Sequence, residues 1–540
     1  MKILIVQLLR LGDIVLSSPV IQGLRDQYPN AEIDLLIHKQ FENVVGLMPK
    51  VNQCFTFDRE LVQSSLGEKD RFVFEGFDRV NRLIQRLRNR HYDQIINLTH
   101  NRLSAYIVGG VACRERIGLW INDKNQALIE SAWFRHLNQD DLGNESERFH
   151  FTDIYKFSAQ LERPRLGIRL YETDCGRERA EHYLSSFYSK YHIVVQALTS
   201  DPKKNWGVDK FKACIEEIHA SLPDSHFTIL GAPSEAAVLA AAFKNKPHCS
   251  VVICDLDYAY SIILKSDLVL TGDTSIKHIA SATATPIIEL SIGSSDFRRT
   301  GSYSEKALIL QSQENCAPCS HGSLCHREEH FCAKKILPEL VSLVAVDLLR
   351  NQSAQIKNIA EEFSDQVRIY RVDITTTGTW MAIDVSAPFS ELQVAGYFNK
   401  FVAKLFIQHS SREKDVFEIF GSESQRLANL LKNAFGREPE FKKILVHLEN
   451  KISSVETKIT SLESNFYQYH FANIDSRRTK ELVEALISLG GKAEIADQLI
   501  NDGSTVFVRL RKVQLALKNM RLKSEIELKL VRSLQTNMEA

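Results

Sequence analysis

Residues 1–27 read MKILIVQLLRLGDIVLSSPVIQGLRDQ. Lys2 to Gln7 is a short run rich in Ile and Val, which predicts a buried strand, and Ser17 to Gln27 has the periodicity of a helix. Between them, Gly12 lets the backbone turn tightly or approach a ligand closely. Asp13 then stands at the carboxyl end of the strand as the next helix begins, the place where open α/β sheets bind their ligands. A carboxylate there is also a good helix cap, so position alone leaves Asp13 as either a cap or a functional group.

The same rhythm continues outward. Ile33 to Ile37 and Asp93 to Leu98 read as strands, and Phe72 to Arg90 as a charged surface helix, which together predict a parallel sheet with crossover helices. A second unit begins near Tyr191. It has strand-like segments at His192 to Ala197, His226 to Leu230, Ser250 to Ile253, Leu268 to Leu270 and Pro286 to Leu290. Helical patterns fall at Asp209 to Ser221 and Ser234 to Phe243. The expected class is α/β: a lobe over 1–170, a second over 171–350, and a ligand site in the space between them.

Composition sets limits on function. At roughly 150 residues per domain, 540 residues imply three or four units. The 67 basic residues balance the 67 acidic ones and 44% of the chain is apolar, which excludes both a disordered chain and a polycationic one, so nucleic acid is not an expected partner. Gln7, Arg10 and Asp13 interrupt the opening apolar run too early for a membrane span, and no small-residue cleavage site follows it. A cytoplasmic, reducing setting is expected, at most peripheral at the inner face of the inner membrane. Cys54, Cys113, Cys175, Cys214, Cys249 and Cys254, scattered through regular segments, fit buried free thiols.

Residues 351–540 differ in character, reading as a mainly helical extension. Val367 to Ala387 has the pattern of a hairpin. Leu445, Leu448, Ile452, Val455, Ile459, Leu462, Phe466 and Tyr469 alternate spacings of three and four, consistent with a coiled coil over 441–469 that would support self-association, or with one long helix of an intramolecular bundle. The basic helix from Val506 onward presents either a solvated face or a surface for anionic membrane lipid.

Two further strand ends carry chemistry. In QALTSDPKKNWGVDKF (196–211), Thr199 and Ser200 supply hydroxyls and Lys204 a compact cation, a set suited to a diphosphate, although the hydroxyls also suit a turn. Trp206 and Phe211 can anchor the helix that follows. In LVLTGDTSIKHIASATATPIIEL (268–290), Gly272 permits a bend and Asp273, Thr274 and Ser275 open a helix whose N–H groups favour phosphate oxygens. His278 falls on its first turn, as a structural hydrogen-bonder or a proton donor. No GxGxxG follows the first strand and no GxxxxGK[ST] occurs, which removes the main support for a dinucleotide redox enzyme or a P-loop nucleotidase. An epimerase or dehydrogenase would also need a Tyr-x-x-x-Lys pair after a strand.

The Gly12–Asp13 turn, RERIGL at 114–119, the Thr-Ser…Lys-x-Trp run ending at Trp206, and Asp-Thr-x-x-x-His at Asp273, Thr274 and His278 occur in an order that resembles bacterial lipopolysaccharide heptosyltransferases of glycosyltransferase family nine, over roughly residues 1–345. The resemblance implies a glycosyltransferase-B fold of two Rossmann-like lobes and an inverting transfer that needs no catalytic metal and no cofactor. It implies an ADP-heptose-like donor in the second lobe and a glycolipid or glycan acceptor in the first. Asp13 would be the general base. Thr199, Ser200, Lys204 and the helix beginning at Thr274 would hold the departing diphosphate, with Asp273 and His278 beside them. Glu235, in LGAPSEAA, would meet the ribose, or else be a solvated helix-start carboxylate. Ser275 stands where the family usually has glycine, which keeps open an inactive scaffold with the same lobes. Cys316, Cys319, Cys325 and Cys332, spaced C-x2-C-x5-C-x6-C, suit either a structural zinc or a family loop with free thiols or a disulfide.

Overall fold

The computed structural model describes residues 1–62, 73–139, 148–163, 165–320, 325, 327, 329–350, 355–375 and 378–386, with scattered single positions beyond. The chain divides into two compact units, of which the first, 1–138 with 149–386, contains both sheets. The second unit comprises 139–148 and 387–540. The proposed coiled coil over 441–469 and the basic tail lie outside the described residues apart from isolated positions.

The first sheet contains β1 (Lys2–Gln7), β2 (Glu32–His38), β3 (Gln53–Phe57), β4 (Gln94–Asn97), β5 (Glu115–Ile121) and β6 (Ala127–Ile129). Its order is β3-β2-β1-β4-β5-β6, parallel except for the β5–β6 pair. Ile3 to Gln7 are buried without alternation, because helices cover both faces of a parallel sheet and an unbroken apolar run is then the stable choice. The chain leaves β1 in one direction for β2 and returns on its other side as β4. The carboxyl end of β1 is therefore the point where strand order reverses.

The second sheet contains β7 (Tyr191–Gln196), β8 (Ser225–Gly231), β9 (Cys249–Ile253), β10 (Leu268–Gly272), β11 (Ile287–Ser291) and β12 (Ala307–Ser312), with β13 (Val367–Ile374) and β14 (Trp380–Asp384) added at one edge. The order is β14-β13-β12-β11-β10-β7-β8-β9, so the reversal falls between β7 and β10. Ile193, Val195, Leu268, Leu270 and Ile288 form its core with Phe211 and Ile215 of the helix Val208–Ser221 and with Leu340 and Val344 of the helix Pro338–Leu349. The hairpin expected over 367–387 is the antiparallel pair β13–β14. It joins this sheet through β12, so the sheet continues past residue 350.

One helix returns from the first lobe to the second. Phe151–Ser158 packs on the helix Ser18–Gln27, while its buried Asp153 and Lys156 reach across to Tyr303 and the hairpin. The Tyr303 hydroxyl donates to Asp153 Oδ1 (2.6 Å), Lys156 Nζ donates to the Tyr303 oxygen (2.6 Å) and to the Gly378 carbonyl (3.1 Å), and the Trp380 N–H donates to Asp153 Oδ2 (2.7 Å). Buried polar groups persist only when paired like this, so the network fixes this helix against the second sheet.

Candidate active site

The site lies where both strand reversals meet. Asp13 belongs to the short helix Leu11–Leu16 after β1, and its Oδ2 accepts from the Arg10 N–H (3.1 Å), so it does act as a local cap. That helix packs against Ser275–Ala280, the helix after β10. The approach is close: a methyl group at Gly12 would stand 2.6 Å from His278 Cδ2, so only glycine allows the imidazole this position. His278 is buried and its Nδ1 has no hydrogen-bond partner. Burial, reinforced by the Lys277 ammonium, pushes its pKa well below the usual histidine range, leaving a neutral ring.

Lys204 reaches this point from the other reversal strand. The turn Pro202–Lys204 follows β7 and is pinned by Ser294, whose hydroxyl donates to Asp201 Oδ2 (2.9 Å). Trp206 anchors the chain just beyond, its Nε1 donating to the Ile336 carbonyl (2.8 Å) and its ring meeting Phe211 edge-on. Lys204 Nζ lies 2.5 Å from Asp273 Oδ2, and Lys277 Nζ lies 2.5 Å from Asp273 Oδ1. Burial alone would raise the Asp273 pKa. The two ammonium groups outweigh it and hold this carboxyl below the usual range.

Asp13 goes the other way. Burial pushes it up to about 6, the Arg10 N–H and charge pull it back, and the Asp273 and Lys204 charges act on it with opposite signs. Asp13 thus shares an electrostatic neighbourhood with the Lys204–Asp273 pair. One carboxyl near neutrality beside another fixed in its ionised form is an arrangement in which the first can exchange a proton and the second can only hold cations.

The remaining candidates separate. Thr199 lies against Gly272, but its hydroxyl donates to the Asp201 carbonyl (2.7 Å) and its N–H to Asn205 Oδ1 (2.8 Å), which builds the lysine turn. Ser200 is exposed next to it. Thr274 shares a hydrogen bond with Thr271 (3.1 Å between hydroxyl oxygens) at the start of a six-residue helix. Glu235 Oε2 accepts from the Ala232 N–H (2.8 Å), capping its own turn after β8. The four late cysteines are unpaired thiols, and among the described residues no group of three metal-ligating side chains is close enough to hold an ion.

Three buried residues had no place in the sequence reading. Lys277 and Glu289 form an ion pair of 2.9 Å behind Asp273. Tyr155, fully buried on the returning helix, has its pKa raised well above the ordinary range by burial and then by the charge of Asp13. The only advance signal for Lys277 was its spacing of four from Asp273 on a helix.

The model of the family described as Glycosyltransferase family 9 (heptosyltransferase) matches residues 80–327, a span that includes Lys204, Asp273 and His278. That span is a little under half of the chain, and it is the part in which this chain is similar to the family. A protein described as lipopolysaccharide heptosyltransferase 3, from Escherichia coli strain K12, is 24% identical over 291 residues, covering 52% of this chain and 79% of its own. A lipopolysaccharide core heptosyltransferase from Haemophilus influenzae is 20% identical over 292 residues, covering 53% and 77%. Among solved structures, a glycosyl transferase family 9 protein from Veillonella parvula aligns at 18% identity with a TM-score of 0.49, covering 65% of this chain and 97% of that one. The two mostly parallel sheets, each with a strand-order reversal, agree with the two Rossmann-like lobes expected of a glycosyltransferase-B fold. Among the described residues, no helix is long and apolar enough to cross a membrane.

Proposed function

We propose that this chain is an inverting heptosyltransferase of lipopolysaccharide assembly, moving the sugar of an ADP-heptose-like nucleotide donor onto a glycolipid hydroxyl. Asp13 takes the proton of the acceptor hydroxyl as its oxygen bonds to the anomeric carbon, and the bond from that carbon to the diphosphate breaks on the opposite face. The configuration inverts because one displacement does both. Lys204 meets the charge that develops on the leaving diphosphate, a task for a fixed cation in a poorly solvated site and the reason no catalytic metal is invoked. His278, neutral and wedged against Gly12, donates a hydrogen bond beside the phosphates. Thr199, Ser200 and Thr274 line the turns that carry these groups, and Glu235 meets the nucleoside ribose at the end of β8.

The observation that carries the reading is the packing of the Asp13 helix on the His278 helix, next to the Lys204–Asp273 pair. Stabilisation by ADP-, UDP- and GDP-sugars in a thermal-shift screen, followed by nucleotide release with wild type and Asp13→Ala, tests it. Donor binding with turnover lost in the variant is the expected result. Stabilisation by no nucleotide sugar would favour the scaffold reading that Ser275 raises, and wild-type turnover in Asp13→Ala would remove the general base. An unchanged anomeric configuration in the product would remove inversion.

A further inference from the structure

Asp273 holds two ammonium groups whose situations differ. Lys204 comes from the loop after β7, and its side chain keeps 9% of its surface open, as Asp273 keeps 8%. Lys277 lies one helical turn beyond Asp273 and its side chain is 0% exposed. Its ammonium also bonds to Glu289 Oε1 at 2.9 Å, and Glu289 is likewise 0% exposed. Glu289 is fixed in turn, its Oε2 accepting from both the Ser302 N–H (2.7 Å) and the Ser302 hydroxyl (2.8 Å). The four charges therefore form a line, Lys204–Asp273–Lys277–Glu289, with one end at the site's edge and the other sealed.

A buried carboxylate with one cation cannot release it cheaply, because breaking the pair strands an uncompensated charge. A carboxylate with two can release one. If the reading above holds, on which this inference rests, Lys204 must serve a diphosphate while Asp273 stays ionised. Among the described residues, Asp13 on the facing helix and His278, five residues further along, also interact electrostatically with Asp273, and neither supplies a positive charge. Of the two cations that act on Asp273, Lys277 is then the one left to do so. We propose that Lys277 is a positioning residue that keeps Asp273 neutralised and in place so that the Lys204 ammonium can transfer from Asp273 to the diphosphate of the donor. Lys277 touches no substrate; it acts through Asp273.

Calorimetric titration of the full chain with ADP-glucose and UDP-glucose, whose phosphates keep constant charge between pH 6 and 8, tests the hand-off. The comparison is made at pH 8, where Asp13 is ionised in wild type and variants alike, and wild type is expected to bind. Lys277→Met ties Lys204 to Asp273, so affinity at pH 8 falls about tenfold or more, as for a lost charged hydrogen bond. The double variant Lys277→Met/Glu289→Gln removes one charge of each sign, which protects folding. A merely structural Lys277, present to neutralise Glu289, would let this double variant bind like wild type, and that result would overturn the proposal. The hand-off requires the double variant to stay weak. Failure of wild type to bind either nucleotide sugar would refute the donor site itself, and the hand-off with it.

Discussion

Asp13→Asn separates charge from shape at the proposed base. The amide keeps an oxygen to accept the Arg10 N–H, so the local cap survives, while the proton acceptor is lost. General-base loss costs about two to four powers of ten in kcat. Stability is expected to move the opposite way. Burial lifts the Asp13 pKa from 3.8 to about 6, so the folded chain binds this proton more tightly than the unfolded one and the group destabilises the fold when ionised. The sign follows: the penalty is absent below pH ~4, grows between pH ~4 and ~6, and is complete above ~6. Two pKa units correspond to about 3 kcal/mol, which partial solvent access to this carboxylate reduces to about 1–2 kcal/mol, or a few degrees of melting temperature. Melting curves of the two proteins at pH 4.5 and pH 8, with initial rates from pH 5 to 8, measure both effects. Asp13→Asn should melt higher at pH 8, by less at pH 4.5, and be nearly inactive. Wild-type kcat/KM should rise about tenfold from pH 5 to 7, as expected for one group with a pKa of about 6. A flat rate profile, or a variant that melts lower at pH 8, would refute the assignment of a strained, ionised base.

Gly12→Ala places a methyl group 2.6 Å from His278 Cδ2, so the imidazole must move. Turnover should fall by about tenfold to a hundredfold and donor Kd should rise with it, as the ring's hydrogen bond beside the phosphates is displaced, read by comparing kcat with calorimetric binding. Lys204→Met removes the cation offered to the diphosphate and should weaken nucleotide-sugar binding by about tenfold to a hundredfold in the same titration. Tyr303→Phe keeps the ring but deletes the hydroxyl that joins Asp153 to Lys156. It should lower stability by about 1–3 kcal/mol, seen in urea or thermal unfolding of the full chain.

The strands easiest to read were those with both faces buried. β1, β2, β7, β8 and β10 are apolar runs bounded by turns, and the expected segments match them within a residue or two. β3 escaped notice because it is short and partly exposed, with Gln53 and Thr56 among its five residues. The hairpin was legible as a hairpin, but its attachment to β12 depends on pairing across more than fifty residues, which local pattern does not encode. The site divides in the same way. Asp13, Lys204 and Asp273 sit at strand ends, where the rule for parallel sheets directs attention. Lys277 and Glu289 read as ordinary charges, since a buried ion pair differs from a surface one only in what covers it. Tyr155 belongs to no motif; its closeness to Asp13 is a product of helix packing.

The same returning helix ties the two halves of the site together. Tyr155 feels the charge of Asp13, and two residues earlier Asp153 accepts from Tyr303, which follows the Ser302 that holds Glu289. Glu289 holds Lys277, and Lys277 holds Asp273 beside Lys204. Up to Asp273 the side chains of this chain are almost wholly enclosed, so a displacement at one member leaves an unpaired polar group at the next, at a cost of about 1–3 kcal/mol. Small shifts are resisted for that reason. The carboxylate of one lobe and the cation of the other are thus held in register by a packed polar interior, and the Thr199 turn that carries Lys204 is part of it.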